Sequence, residues 1–97
     1  MIKITEISEI KAISEPKIRE YIFSKAIEMM NEYGVENLDD IGCFVVLDSS
    51  ENQMFEVSEM EFVEVLKIGN FHYLHGVKIL GDSYGEDIYL PVEAKEC

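Results

Sequence analysis

Two histidines stand close together in an alternating apolar stretch, and histidine is a common metal ligand and general base. His72 and His75 lie three positions apart in the segment from residue 71 to residue 80. In a strand, an odd separation places two side chains on opposite faces, so these two cannot hold one ion. The spacing therefore predicts no metal site and no cofactor, with one histidine near the core and the other near solvent.

A second candidate is the acidic segment from Asp82 to Ile88, which carries the oxygen-bearing residues typical of a calcium loop. Such a loop needs its ligands at set positions and a glycine at the sixth. With Asp82 as the first ligand, Asp87 occupies the glycine position, so an ordinary hairpin turn explains the segment better. The sequence also lacks a nucleophile elbow and a phosphate-binding loop. We therefore expect no catalytic residues and predict that the chain is not an enzyme.

The two cysteines and the amino-terminal residues indicate where the protein works. Cys43 lies inside an apolar run and Cys97 is the last residue, so a buried thiol and a tail thiol are expected instead of a disulfide. Charges interrupt the first six residues, and no segment approaches the roughly 20 apolar residues that span a bilayer. These features predict a soluble protein of the reducing cytoplasm.

Charge is the most extreme property of the sequence. Twenty Asp and Glu residues against eight Lys and Arg residues give a formal net charge of -12. Residues 1 to 25 are nearly balanced, whereas no base occurs between Lys25 and Lys67. That interval holds eleven acids, here called the acidic arc: Glu28, Glu32, Glu36, Asp39, Asp40, Asp48, Glu51, Glu56, Glu59, Glu61 and Glu64. Direct binding to nucleic acid or to an anionic membrane is disfavoured, because both require a basic surface.

Local signals predict one long helix over residues 15 to 33. Ser14 is a capping residue, Pro16 suits a first helical turn, and Gly34 supplies a left-handed stop. Between them the apolar residues follow the i, i+3, i+4 spacing of one helix face. The first 13 residues are ambiguous, and a short strand followed by a helical turn is expected there.

The rest of the chain predicts two hairpins and a second helix. Residues 43 to 47 read as a central strand, with residues 54 to 57 pairing back after a polar turn. Ser58 and Glu61 have capping-box spacing and predict a helix that Gly69 ends. Residues 71 to 80 alternate like a strand, and a last strand with Pro91 suits a sheet edge. The prediction is a single α+β domain over residues 1 to 97, with a mostly antiparallel sheet of about four strands and two helices packed on one face.

The acidic arc is interpreted as a partner-binding surface. Tyr84 and Tyr89 lie in or beside a polar turn and are predicted to be its exposed aromatic anchors. The leading hypothesis is an inhibitor that presents carboxylates to a basic surface of a partner, such as a nucleic-acid-processing enzyme, where phosphates normally bind. In size and charge, though in no motif, the chain is similar to small phage inhibitors such as anti-CRISPR and anti-restriction nucleic-acid mimics, and to nuclease immunity proteins.

The sequence is also compatible with two other classes of protein. The first is a homo-oligomeric structural or scaffolding domain, in which a sheet face or edge strand is covered by another copy. The mildly basic first 25 residues could then meet the acidic arc of a neighbour. The second is a small enzyme, which would be recognised by a deep pocket with convergent carboxylates.

Overall fold

The computed structural model, which describes residues 1–81 and 84–92, contains one five-stranded mixed sheet. Its strands are β1 (Ile2–Ile4), β2 (Gly42–Val46), β3 (Phe62–Ile68), β4 (Phe71–Gly81) and β5 (Tyr84–Val92). They lie in the order β1-β2-β5-β4-β3. β2 and β5 run parallel, and the other neighbouring pairs are antiparallel. The predicted α+β class is confirmed, with five strands and one parallel pairing where about four mostly antiparallel strands were expected.

The one α-helix of the described residues, α1 (Pro16–Tyr33), begins and ends close to the predicted positions. Glu15, one residue after the predicted cap Ser14, caps the helix by accepting a 2.8 Å hydrogen bond from the backbone N–H of Ile18. Gly34 ends the helix in the left-handed conformation at φ 66°, which a residue with a Cβ adopts only at a cost. Local sequence signals are therefore sufficient to define this element.

Four short 3-10 helices connect the larger elements: Ile7–Ala12, Leu38–Asp40, Ser49–Met54 and Val57–Glu59. The first follows β1, so the expected strand and helical turn at the amino end are confirmed. The predicted strand over residues 54 to 57 is wrong, since these residues are divided between two 3-10 helices and the link between them. Phe55 in that link is buried against the sheet. This burial of apolar surface stabilises the non-strand conformation of the segment.

The sheet is covered on both faces, which corrects the prediction of helices on one face only. α1 packs on the first face, where Ile18, Ile22 and Ala26 join the larger core with Phe44 and Tyr89. The segment of residues 49 to 60 covers the second face with Phe55 and Met60, against Cys43, Val45, Leu47, Ile88 and Leu90. β2 is buried at all five positions because it lies between these two layers, as its apolar run predicted.

The predicted second helix is β3 instead. β3 forms a hairpin with β4 through Gly69 and Asn70, in seven consecutive pairs from Phe62 with Val77 to Ile68 with Phe71. The valines and the phenylalanine of this segment favour an extended conformation. In the hairpin, the backbone groups of β3 that face β4 form hydrogen bonds to that strand, so the segment does not need a helix to satisfy them. Tertiary pairing therefore overrides the capping signal at Ser58.

Pro91 does not lie at a sheet edge, because β5 is the central strand. Its partner on β4 is Tyr73, whereas pairing with β2 ends at Val46 and Tyr89. The position without an N–H therefore lies beyond the end of β2, where the sheet loses little by its absence. The predicted turn also ends early, since β5 begins at Tyr84; Asp82 and Ser83 lie outside the described residues.

Candidate functional site

A Glu–His–Asp cluster crosses three strands on the face that α1 covers. The ring Nδ1 of His75 on β4 lies 3.1 Å from Glu64 Oε2 on β3, and Nε2 lies 2.9 Å from Asp87 Oδ1 on β5. The His75 ring also stacks on Tyr89, with centroids 4.5 Å apart and planes inclined by 13°. Phe62 contacts the same ring edge-on. One imidazole thus links the three strands that form the β3 side of the sheet.

The two carboxylates define the protonation state of His75. A neutral imidazole carries only one N–H, so both contacts are hydrogen bonds only when the ring is an imidazolium. Burial opposes this charge, but the hydrogen bonds to Asp87 and Glu64 outweigh it and raise the pKa of His75. The cluster is therefore an ion triad in which a buried positive charge lies between two partly exposed carboxylates.

The geometry favours a structural role for this triad. His75 is 5% exposed, which leaves no room for a substrate to reach the ring. Both nitrogens already face carboxylates on opposite sides of the ring, an arrangement that no single metal ion could bridge. Across residues 1–81 and 84–92, no group of three or more His, Cys, Asp or Glu side chains is arranged to hold a metal.

Sequence reasoning missed the triad because it placed Glu64 on a helix. The signal was present in the two-residue turn at Gly69 and Asn70, since a tight hairpin there pairs residue 64 with residue 75. The alternation of β4 predicted one histidine near the core and the other near solvent, without deciding which was which. His75 is buried, and His72 is half-buried on the opposite face.

The eleven residues of the acidic arc lie at the surface, but not on one face. Nine are exposed, and Glu51 and Glu64 are half-buried. One group lies on the α1 side and around its carboxyl end: Glu28, Glu32, Glu36, Asp39 and Asp40. A second group belongs to the segment covering the opposite face: Asp48, Glu51, Glu56, Glu59 and Glu61. Glu64 belongs to neither group, since it is committed to His75.

The second group is partly neutralised. Glu51 lies 2.8 Å from the amino-terminal nitrogen of Met1, and Glu59 lies 3.1 Å from Lys78 Nζ. Among residues 1–81 and 84–92, no acid of the first group lies in a salt bridge. Within the acidic arc, the group around the carboxyl end of α1 is therefore the one that no described cation neutralises.

An apolar groove of about 410 Å³ lies beside that first group, between α1 and the β4–β5 hairpin. Its apolar lining comes from Met29, Tyr33, Ile41, Val77 and Ile79. Two of these lining side chains are strongly exposed for large apolar residues, Tyr33 at 64% and Ile79 at 54%. Asp87 adds a carboxylate to the lining. The groove is thus an apolar surface that the described residues leave uncovered.

Tyr84 joins this groove to the acids. It lines the groove, and its hydroxyl donates a 3.1 Å hydrogen bond to Asp39 Oδ1. Partial burial, together with the neighbouring Asp39 carboxylate, raises the pKa of Tyr84 to about 12. Asp39 also lines an adjacent hollow with Glu6, Glu36 and Asp40. Glu6 is an acid of this surface that the sequence did not single out.

Tyr89 is not an exposed anchor, which corrects the prediction. It is fully buried, and it packs between the His75 ring and Phe44 with Tyr21 edge-on. Its hydroxyl has no hydrogen-bond partner among the described residues. Burial, with Asp87 nearby, raises the pKa of this hydroxyl, so Tyr89 stays neutral.

Cys43 is a buried free thiol, as predicted, and Cys97 lies outside the described residues. Burial raises the pKa of Cys43, and the nearby Glu86 carboxylate adds to the effect. A thiol with a raised pKa is a poor nucleophile. None of the described helices is long and apolar enough to cross a membrane.

Comparison with known proteins gives no match. No protein-family model matches the sequence, and neither a curated protein nor a solved structure is significantly similar to the chain.

Proposed function

We propose that this chain is a protein-binding module that receives a basic segment of a partner protein in the groove beside α1. The partner's apolar side chains fill the groove, and its Lys and Arg side chains meet the acids around it. The single observation that carries the proposal is the contact between Tyr84 and Asp39, which joins an uncovered apolar surface to acids that form no salt bridge within residues 1–81 and 84–92.

The combination of surfaces supports a protein as the partner. Interfaces between proteins have an apolar centre with aromatic residues and a polar rim, and Tyr33, Tyr84 and Ile79 supply such a centre here. The acids that line the adjacent hollow, including Glu36 and Asp40, supply a rim of one charge. Such a rim raises the association rate with a basic partner and rejects acidic ones.

The partner class follows from the charge. Basic protein surfaces that hold nucleic acid are built to bind rows of phosphates, and rows of carboxylates present a similar field. On α1, Glu28 and Glu32 are i, i+4 neighbours, roughly 5–6 Å apart at their Cβ atoms. We therefore propose an inhibitor that occupies the nucleic-acid-binding surface of its partner. The buried free thiol of Cys43 suits a reducing, cytoplasmic setting.

The test is capture of heparin-binding proteins from a lysate on the immobilised chain, followed by competition with double-stranded DNA. We expect retention of the captured protein to fall at least tenfold between about 50 and 500 mM NaCl, because screening weakens exposed charge pairs. DNA should displace the same protein, since both ligands would occupy one basic surface. Retention that resists both salt and DNA would overturn the proposal.

A matched pair of double variants separates the proposed site from net charge alone. The variant Glu36→Lys/Asp40→Lys reverses two exposed acids beside the groove, and Glu20→Lys/Glu56→Lys reverses two exposed acids elsewhere. Both variants carry the same net charge. We expect the first to lose most of the binding and the second to keep most of it. Equal losses would show a diffuse charge effect with no defined site.

A further inference from the structure

β3 is an edge strand whose outer side has no partner strand among residues 1–81 and 84–92. It is seven residues long, contains no proline or glycine, and pairs with β4 without a register shift. An edge strand of this kind presents a row of free backbone N–H and C=O groups, which is a ready surface for another strand.

β3 also carries large apolar side chains that are exposed to solvent. Val65 is 62% exposed and Phe62 is 50% exposed. On the face opposite α1, an apolar row runs from Leu90 on β5 through Leu74 on β4 to Val65. Leu90 is buried and Leu74 is half-buried, whereas Val65 is exposed. A further strand beside β3 would extend this apolar row and cover Val65.

The other edge of the sheet is different. β1 has only three residues, and its central residue Lys3 is exposed. Short edge strands with lysine are protected against pairing with other chains. β1 is thus protected against pairing with another strand, whereas most of β3 lacks such protection. β3 is therefore the edge at which another strand can pair.

We propose that two copies of this chain pair through β3, antiparallel and about a two-fold axis, to form a continuous ten-stranded sheet. Continuity requires that opposed residues point to the same face, so the two strands must align with an even register sum. The register that pairs all seven residues places Val65 opposite Val65 of the second copy. In the same register, Phe62 lies opposite Ile68.

Charge complementarity supports this occupant. In the proposed register Lys67 of one copy lies opposite Val63 of the other, and therefore diagonal to Glu61. Both Lys67 and Glu61 are exposed, and diagonal neighbours lie within reach of long side chains. The two-fold axis forms this ion pair twice. β3 itself holds one acid and one base, so it is the neutral part of a molecule with a net charge of -12.

Sedimentation equilibrium between about 1 µM and 1 mM protein tests the proposal. We expect the wild type to approach twice the monomer mass, and Val65→Lys to raise the dissociation constant at least about tenfold, because two like charges then oppose each other. The control is Val57→Lys, which changes the same residue type at 57% exposure and away from the edge, and should leave association unchanged. If Val65→Lys fails to fold, Val65→Thr keeps the strand preference and should still weaken the dimer.

Charge exchange tests the register. Lys67→Glu and Glu61→Lys should each weaken the dimer by about threefold to tenfold, and the double variant should restore it. A monomer at every concentration, a dimer that ignores Val65→Lys, or a double variant without recovery would each overturn the proposal. The groove beside α1 includes no β3 residue. Backbone and apolar contacts should keep the dimer at 500 mM NaCl, where capture of a basic partner is lost, so the two proposals fail separately.

Discussion

At the scale of single residues, His75 on β4 joins an acid from each of the two neighbouring strands. It carries a buried positive charge between Glu64 and Asp87, and it stacks on the fully buried Tyr89. Removing one member of a buried ion group leaves the others without compensation, which costs more than the intact group contributes. The triad therefore ties β3 to the centre of the sheet.

We expect His75→Gln to lower the free energy of unfolding by about 2–3 kcal/mol near pH 6, because two carboxylates then face one amide. The folded pKa of His75 is raised above its ordinary value of 6.5. Its stabilising contribution is therefore complete below about pH 6.5 and is lost as the pH rises through the folded pKa. Urea unfolding of wild type and variant from about pH 6 to 9 should give a difference that shrinks with rising pH.

The control is His72→Gln, which makes the same change on the opposite face of β4. It should alter stability by less than about 0.5 kcal/mol at any pH in this range. A difference between wild type and His75→Gln that stays constant from about pH 6 to 9 would contradict the imidazolium assignment.

At the scale of elements, the layer opposite α1 depends on a close approach to the sheet. Phe55 and Met60 come from a segment without regular α-helix or strand, yet they cover the second core. They approach β4 at Gly76, where a Cβ would meet Phe55 Cζ at 2.9 Å and Met60 Cγ at 3.0 Å. Because Gly76 has no side chain, Phe55 and Met60 can pack directly on the backbone of β4.

Gly76→Ala should therefore destabilise the protein by about 1–3 kcal/mol, since a methyl group overfills a contact that is already tight. The control is Gly81→Ala in the same strand, where a Cβ would meet nothing within 4 Å. That change should stay within about 0.5 kcal/mol. Urea unfolding measures both, and equal effects would mean that the layer can shift at little cost.

At the scale of the whole molecule, self-repulsion opposes the fold. The net charge is -12, and among residues 1–81 and 84–92 only Glu51 and Glu59 form a salt bridge to the amino terminus or to a lysine. Like charges at i, i+4 spacing on α1, such as Glu28 and Glu32, add a local repulsion. Much of the acidic surface therefore carries a cost in stability.

Salt should reduce this cost. Raising NaCl from about 20 to 500 mM should stabilise the monomer by roughly 1 kcal/mol, or about 4–8 °C in the midpoint of thermal unfolding. The Val65→Lys background keeps the proposed dimerisation out of the measurement. Adding Glu28→Gln/Glu32→Gln should shrink the response to salt, because fewer repulsions remain to be screened. A midpoint that is unchanged or lower in salt would mean that repulsion is not a main term.

The amino-acid sequence by itself determined α1, the buried strand β2, the free thiol of Cys43 and the acidic excess. Each of these depends on local information: a cap and a stop for the helix, an unbroken apolar run for the strand, and composition for the charge. Periodicity within β4 likewise placed His72 and His75 on opposite faces.

Only the tertiary structure decided the strand identity of residues 62 to 68, the parallel pairing of β2 with β5, and the division of the acidic arc between two faces. It also decided that His75 meets Glu64 and Asp87, and that Tyr84 reaches Asp39 while Tyr89 is buried. These features depend on which distant segments share hydrogen bonds and in what register. Strand register is a property of two segments together, so neither segment encodes it alone.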